Sequence, residues 1–111
     1  MGKFVISTRK NGEFQFTLKA ANGQVILTSE GYAAKKSCLN GIESVKKNAG
    51  EDKRYEIKSA KNGKPFFNLK AGNGEVIGSS QMYASEATMK KGIASVKANA
   101  PEAPIVDTTA E

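Results

Sequence analysis

Histidine and tryptophan are absent from this 111-residue sequence, cysteine occurs once and proline three times. Without histidine the chain lacks the commonest general base and metal ligand. No cluster of cysteine, aspartate or glutamate has the spacing of a zinc or calcium site, so neither metal nor cofactor is expected. The lone Cys38 rules out an internal disulfide framework and fits a reducing compartment. No apolar run is long enough for a membrane span. Met1, Gly2 and Lys3 lead directly into a strand-like segment, which reads as no signal peptide, and Ile6 stands where a myristoylation signal needs Ser or Thr. The expectation is a cytoplasmic protein with no membrane contact. Charge is the one marked bias: 17 basic against 11 acidic side chains leave +6. That admits contact with polyanions without demanding it, since soluble domains carry such charge simply to stay dispersed.

What the sequence does have, it has twice. Slid by 51 positions, Lys10-Asn11-Gly12 falls on Lys61-Asn62-Gly63, Tyr32-Ala33 on Tyr83-Ala84, and Gly41-Ile42 on Gly92-Ile93. In all, 22 of the 46 pairs from Phe4/Tyr55 to Ala49/Ala100 are identical, with no gap. A unit of about 50 residues buries too little surface to be stable alone. The two copies, residues 3–50 and 54–107, are therefore read as one domain over 1–111 with a joint core, a monomer with internal pseudo-twofold symmetry. Repetition also filters for function, because a residue present in both copies serves the shared fold or a symmetric site.

Each copy reads as strand-strand-strand-helix. Residues 14–20 alternate apolar and polar, the period of a half-buried strand, and residues 65–71 repeat them, with Pro65 placed to open the strand. Strands at 4–8 and 55–59 precede these, and 24–30 and 75–81 follow, each bounded by Asn-Gly turns. A two-residue turn at Asn11-Gly12 would bury Glu56 in the second copy. A three-residue loop instead pairs Ile6 with Phe16 and Ile57 with Phe67, and is preferred because an unpaired buried carboxylate is costly. For the Asn22-Gly23 turn, one register buries Val25 and Leu27 and the other Ile26, and both stay open. Cys38, Ile42, Val45 and Ala49, with Met89, Ile93, Val96 and Ala100, mark one apolar stripe on each helix. Ser85 suits an N-cap and Ala34 does not, leaving the first helix with a frayed start. Asn48 and Asn99 suit helix ends. Gly41 and Gly92, mid-helix in both copies, imply a close backbone approach of the helix-on-helix kind. The fold class is α+β: two tandem β-β-β-α(-β) repeats in a pseudo-twofold antiparallel sheet, with two helices packed on one face and the other face open. Residues 105–107 add a short strand, followed by a loose tail.

Residues 40–49 and their repeat carry a family resemblance. The chain resembles the YegP-like family of bacterial proteins, in which a three-stranded meander precedes a helix bearing Asn-Gly-Ile-Glu-Ser-Val-Lys-x-Asn-Ala. Asn40 to Ala49 matches this motif, and Lys91 and Ala94 replace its Asn and Glu in the second copy. The resemblance implies one continuous sheet with exchanged end strands. Residues 105–107 would be the exchanged strand of the second unit, and residues 53–59 would supply that of the first while opening the next repeat. It implies no established activity.

Little in the chain points to catalysis. Cys38 aligns with Met89 on the apolar stripe and reads as packing. Across the aligned pairs from Phe4/Tyr55 to Ala49/Ala100 no carboxylate falls on a carboxylate, which excludes a symmetric acid/base pair there. An enzyme is not expected. Lys10/Lys61, Lys19/Lys70, Ser29/Ser80, Tyr32/Tyr83 and Lys46/Lys97 are repeated without an obvious core role. Lys19 and Lys70 belong on the open sheet face, joined by Arg9, Gln15, Thr17, Lys58, Phe66 and Asn68. The first expectation is a non-enzymatic interaction or structural module acting through this face. The second is a single-stranded nucleic-acid binder using Arg9, Lys19, Lys58, Phe66 and Lys70, since lysines beside an exposed aromatic neutralise phosphates and stack bases. A third is a small-ligand binder or enzyme with one asymmetric site near Tyr32 or Tyr83.

Overall fold

The computed structural model describes residues 2–109. Its elements run β1 (Lys3–Thr8), β2 (Phe14–Lys19), β3 (Val25–Thr28), α1 (Lys35–Asn48), β4 (Tyr55–Ser59), β5 (Pro65–Lys70), β6 (Val76–Ser79), α2 (Glu86–Asn99) and β7 (Ile105–Asp107). The seven strands form one sheet in the order β4-β5-β6-β3-β2-β1-β7. The two meanders meet at a β3–β6 pair whose partners are Thr28 and Ser79, so the pseudo-dyad passes between them. All pairs are antiparallel except β1–β7, which is parallel. The sheet is therefore mixed rather than purely antiparallel, because β7 leaves α2 and crosses to the far edge of the other repeat.

Turn chemistry sets the registers. Gly12 has φ +86° and its N–H donates to the Arg9 carbonyl at 2.9 Å, closing a three-residue loop. Gly63 has φ +82° and does the same to Ala60. Only a residue without a side chain adopts this conformation freely. Ile6 then pairs with Phe16 and Ile57 with Phe67, as the sequence argues. The second hairpin follows neither register considered from the sequence. A bulge opposite Lys19 moves the pairing from Leu18–Leu27 to Lys19–Val25, so Ile26 and Leu27 are both buried while Val25 is exposed.

The core lies between the sheet and both helices and draws on both repeats: Phe4, Ile6, Phe16, Leu18, Leu27, Ile42, Val45, Phe67, Leu69, Met89 and Val96 are fully buried. Helix α1 touches β5 and β6 as well as β2, and α2 touches β3 as well as β5. Cys38 is buried and free, and burial pushes its thiol pKa up. Ser85 accepts from the Thr88 N–H at 3.2 Å in a capping box, whereas α1 starts at Ala34 with no side-chain cap. Asn48 and Asn99 do not cap by a left-handed turn. Each folds back to donate to the carbonyl four residues earlier, Ser44 or Ser95, at 2.8 Å.

The expected loose tail is tied down as far as it is described. Thr108 donates to the Ile6 carbonyl through its N–H (3.0 Å) and its Oγ1 (2.6 Å). Ala110 and Glu111 lie outside the described residues, as does Met1 of the leader reading. Asp107 accepts from Lys35 at 2.8 Å and from the Thr109 N–H, and these contacts, Lys35 first, hold its pKa down to about 2 from 3.8. A depressed carboxyl stabilises the fold fully above its unfolded pKa, and that contribution disappears as pH falls through the folded one. Asp107→Asn should therefore be less stable than the parent at neutral pH. Acid-unfolding curves should show the difference shrinking from about pH 3.8 toward pH 2.

Candidate functional site

Most of the residues repeated in both copies serve packing. Tyr32 stacks on Phe16 (6.3 Å, 15°), and Tyr83 on Phe67 (6.3 Å, 12°). Each phenol then lies over a helical glycine. A Cβ on Gly41 would lie 2.9 Å from Tyr32 Cζ, and one on Gly92 2.6 Å from Tyr83 Cζ. The close approach read from these glycines is real, but it is ring on helix and not helix on helix. Burial pushes the pKa of both phenols up. Ser29 and Ser80 are equally structural. Their hydroxyls accept from the N–H of Phe16 (2.9 Å) and Phe67 (3.0 Å) and donate to the Glu30 and Gln81 carbonyls at 2.8 Å. Lys46 and Lys97 each lie 5.8 Å from a ring centroid, that of Phe4 and of Tyr55.

Tyr83 also borders a groove of about 200 Å³ between α2 and the β2–β3 hairpin, lined by Asn22, Gln24, Lys91 and Ser95 among others. No described group of three or more Cys, Asp or Glu could hold a metal ion. No described helix is long and apolar enough to cross a membrane.

The face opposite the helices is uncovered. One row crosses all seven strands through successive partners: Val106, Val5, Thr17, Thr28, Ser79, Asn68 and Glu56. At its centre Ser79 donates to Asn68 Oδ1 at 2.6 Å, and Asn68 is buried. Two residues along, Lys58 and Phe66 are direct partners. Lys19 lies at the same end of the sheet, beside Lys3. Lys70 lies at the opposite end, because the pseudo-dyad reverses it. Phe66 is half-buried rather than exposed. Arg9 follows the end of β1, and its Nη1 lies 3.7 Å from Glu13 Oε1.

One carboxylate is shared by two of these lysines. Glu56 takes Lys70 at 3.1 Å and Lys58 at 3.8 Å, and the Lys70 hydrogen bond leads the causes that lower its pKa. Among the sequence candidates, Lys19 alone has no ion-pair partner among the described residues. Glu56 was missed as a site residue because its counterpart is Val5, so the filter for repeated residues discards it. Its face position is legible from the preferred hairpin register.

These features define a class: a tandem-repeat α+β protein with one helix-covered sheet face, one uncovered face and an exchanged end strand. The chain belongs to the family described as Domain of unknown function (DUF1508), whose model matches residues 10–56 and again 60–107. It is 60% identical to the UPF0339 protein in the ptx operon 5′ region of Stutzerimonas stutzeri, across 96% of each chain. It is 51% identical to the UPF0339 protein YegP of Escherichia coli K12, across 97% of this chain and 98% of that one. Two solution NMR structures are similar to it. One is yegP from E. coli, with TM-score 0.93 at 50% identity over 99% of this chain and 95% of that one. The other is the UPF0339 protein SO3888 from Shewanella oneidensis, with TM-score 0.90 at 50% identity over 96% and 90%. The repeats and the α+β arrangement read from the sequence are thus those of the family.

Proposed function

We propose that the protein is a non-enzymatic interaction module that docks a protein partner on the uncovered sheet face. The observation that carries this reading is the row from Val106 to Glu56. It crosses both repeats without a helix over it, and mixes aliphatic groups, hydroxyls and an amide with two lysines that share Glu56. Such a surface suits protein contact, where polar groups must be matched one by one. It suits a phosphate backbone less well, because affinity there comes from cations free to replace counterions.

Single-stranded nucleic acid remains the second reading, favoured by the adjacency of Lys58 and Phe66 and by Lys19. Pull-down from an E. coli lysate, with and without nuclease, separates the two. The expected result is a bound set that survives nuclease, is lost with Thr17→Arg plus Thr28→Arg, and is kept with the helix variant Lys36→Glu. Thermal unfolding checks that each variant is folded. A bound set that vanishes with nuclease, or that ignores the face variant, overturns the proposal. In the first case, oligonucleotide affinity should fall steeply with salt and again with Lys19→Glu plus Lys70→Glu.

A further inference from the structure

We infer that the outer edge of β4, with the groove between it and α2, binds an extended segment of a partner protein as an eighth strand parallel to β4. This surface is separate from the uncovered face and does not depend on the reading given there. The chain itself supplies the template. On the far side of the pseudo-dyad the quasi-equivalent edge, β1, is covered by β7 in parallel pairing: Phe4 with Ile105, Val5 with Val106, Ile6 with Asp107. The Phe4 N–H donates to the Pro104 carbonyl at 2.8 Å, and the Ile6 carbonyl accepts from the Thr108 N–H at 3.0 Å. At the other edge no such strand is present among the described residues. The counterparts of Ile105, Val106 and Asp107 are Arg54, Tyr55 and Glu56, so the chain leaving α1 is consumed in forming β4.

The consequence shows in burial. Phe4, Ile6 and Ile42 are fully buried. Their counterparts Tyr55 and Ile93 are half-buried, and Ile57 is 51% exposed. Together with Asp52 and Lys90 these three line a groove of about 240 Å³. Edge strands left open in this way recruit extended peptides through backbone hydrogen bonds, with alternate side chains entering pockets. The Tyr55 N–H is already bonded to the Asp52 carbonyl, so the added ladder begins at Ile57.

The side-chain preference also differs from that of β7. In parallel pairing, partners share a face, so the incoming residues beside Tyr55 and Ile57 turn toward α2. Beside Ile6 that place holds Asp107, which is bound to Lys35 at 2.8 Å. The counterpart of Lys35 is Glu86, which disfavours an acid there. With Ile57 and Ile93 as walls, the site selects an aliphatic–x–aliphatic segment.

The test uses the ¹⁵N-labelled full chain and a synthetic peptide of residues 101–109 carrying Asp107→Ile, beside the unchanged and the scrambled peptides. The Asp107→Ile peptide should shift the amides of Ile57, Lys58 and Ile93 and leave β1 and β7 unmoved. It should bind about tenfold more tightly than the unchanged peptide, because one more aliphatic side chain leaves water. Ile57→Lys should weaken it by about tenfold or more while the β1 resonances stay in place. Absence of shifts at about 1 mM peptide overturns the inference. So do shifts at β1 and β7, which would mean displacement of the chain's own strand. Self-association of the free protein through Ile57 would overturn it as well, by placing a second copy on the edge.

Discussion

Gly78→Leu should lower the stability of the protein by about 3 kcal/mol, the upper end of what overpacking a closed core costs. Leu27→Gly introduced into the same chain should return most of that loss. Leu27 and Gly78 are counterparts in the two repeats, and they meet where the repeats join. A strict twofold would bring two identical side chains together at this point. Here one strand supplies a fully buried leucine and the other a glycine. A Cβ on Gly78 would lie 2.7 Å from Leu27 Cγ and 2.8 Å from its Cδ2. These atoms belong to a side chain enclosed on all sides, so they have little room to yield. Leu27→Gly alone should cost about 3 kcal/mol by leaving a cavity. In the double variant the leucine moves to the other side of the pseudo-dyad, and the interior volume is conserved. Chemical denaturation of the four proteins gives the coupling free energy. Strict additivity of the two single losses would mean that the side chains do not share one space.

The second large effect is a reversal of sign. Replacing glycine by alanine inside a helix ordinarily stabilises it by about 1 kcal/mol. Gly41→Ala should instead destabilise the protein by about 2 kcal/mol, and Gly92→Ala by a similar amount, as overpacking does. The new methyl group would meet the Tyr32 ring at 2.9 Å and Phe16 Cε2 at 3.0 Å. Tyr32 has little freedom to retreat, because its N–H and carbonyl are both bonded to Phe14 at 2.7 Å and its ring is stacked on Phe16. Once the ring is gone the ordinary preference should return, so Gly41→Ala in a Tyr32→Ala background should stabilise. Thermal or urea unfolding of the four proteins checks this. A stabilising Gly41→Ala in the otherwise unaltered chain would contradict the packing described.

Those two sites also mark how far the sequence could be read. The Asn-Gly turns and the pairing of Ile6 with Phe16 were legible because the competing register would have buried Glu56. The stripe of Cys38, Ile42, Val45 and Ala49 was legible because helical spacing announces it. The burial of Ile26 beside Leu27 was not, since alternation allows one or the other and only a bulge allows both. The partner of Gly41 was missed although a signal existed: tyrosine and glycine recur nine residues apart in each copy, at 32/41 and 83/92. Of the candidate site, the lysines of the uncovered face could be placed from strand alternation. The pairing of Lys58 and Lys70 with Glu56 could not, because Glu56 belongs to one copy alone and reaches Lys70 only once β4 pairs with β5. The bare edge of β4 was half visible, in that residues 53–59 had two strands to supply and could form one.

Native-state hydrogen exchange on the full chain tests most directly whether the two repeats share one interior. The slowest amides of β2 and β3 and those of β5 and β6 should open with a single common free energy. Gly78→Leu should lower that free energy equally in both halves, because the core joins them and cannot open on one side alone. If one repeat kept its protected amides while the other exchanged freely, or if Gly78→Leu loosened only its own half, each repeat would own a separate core and the account would fail.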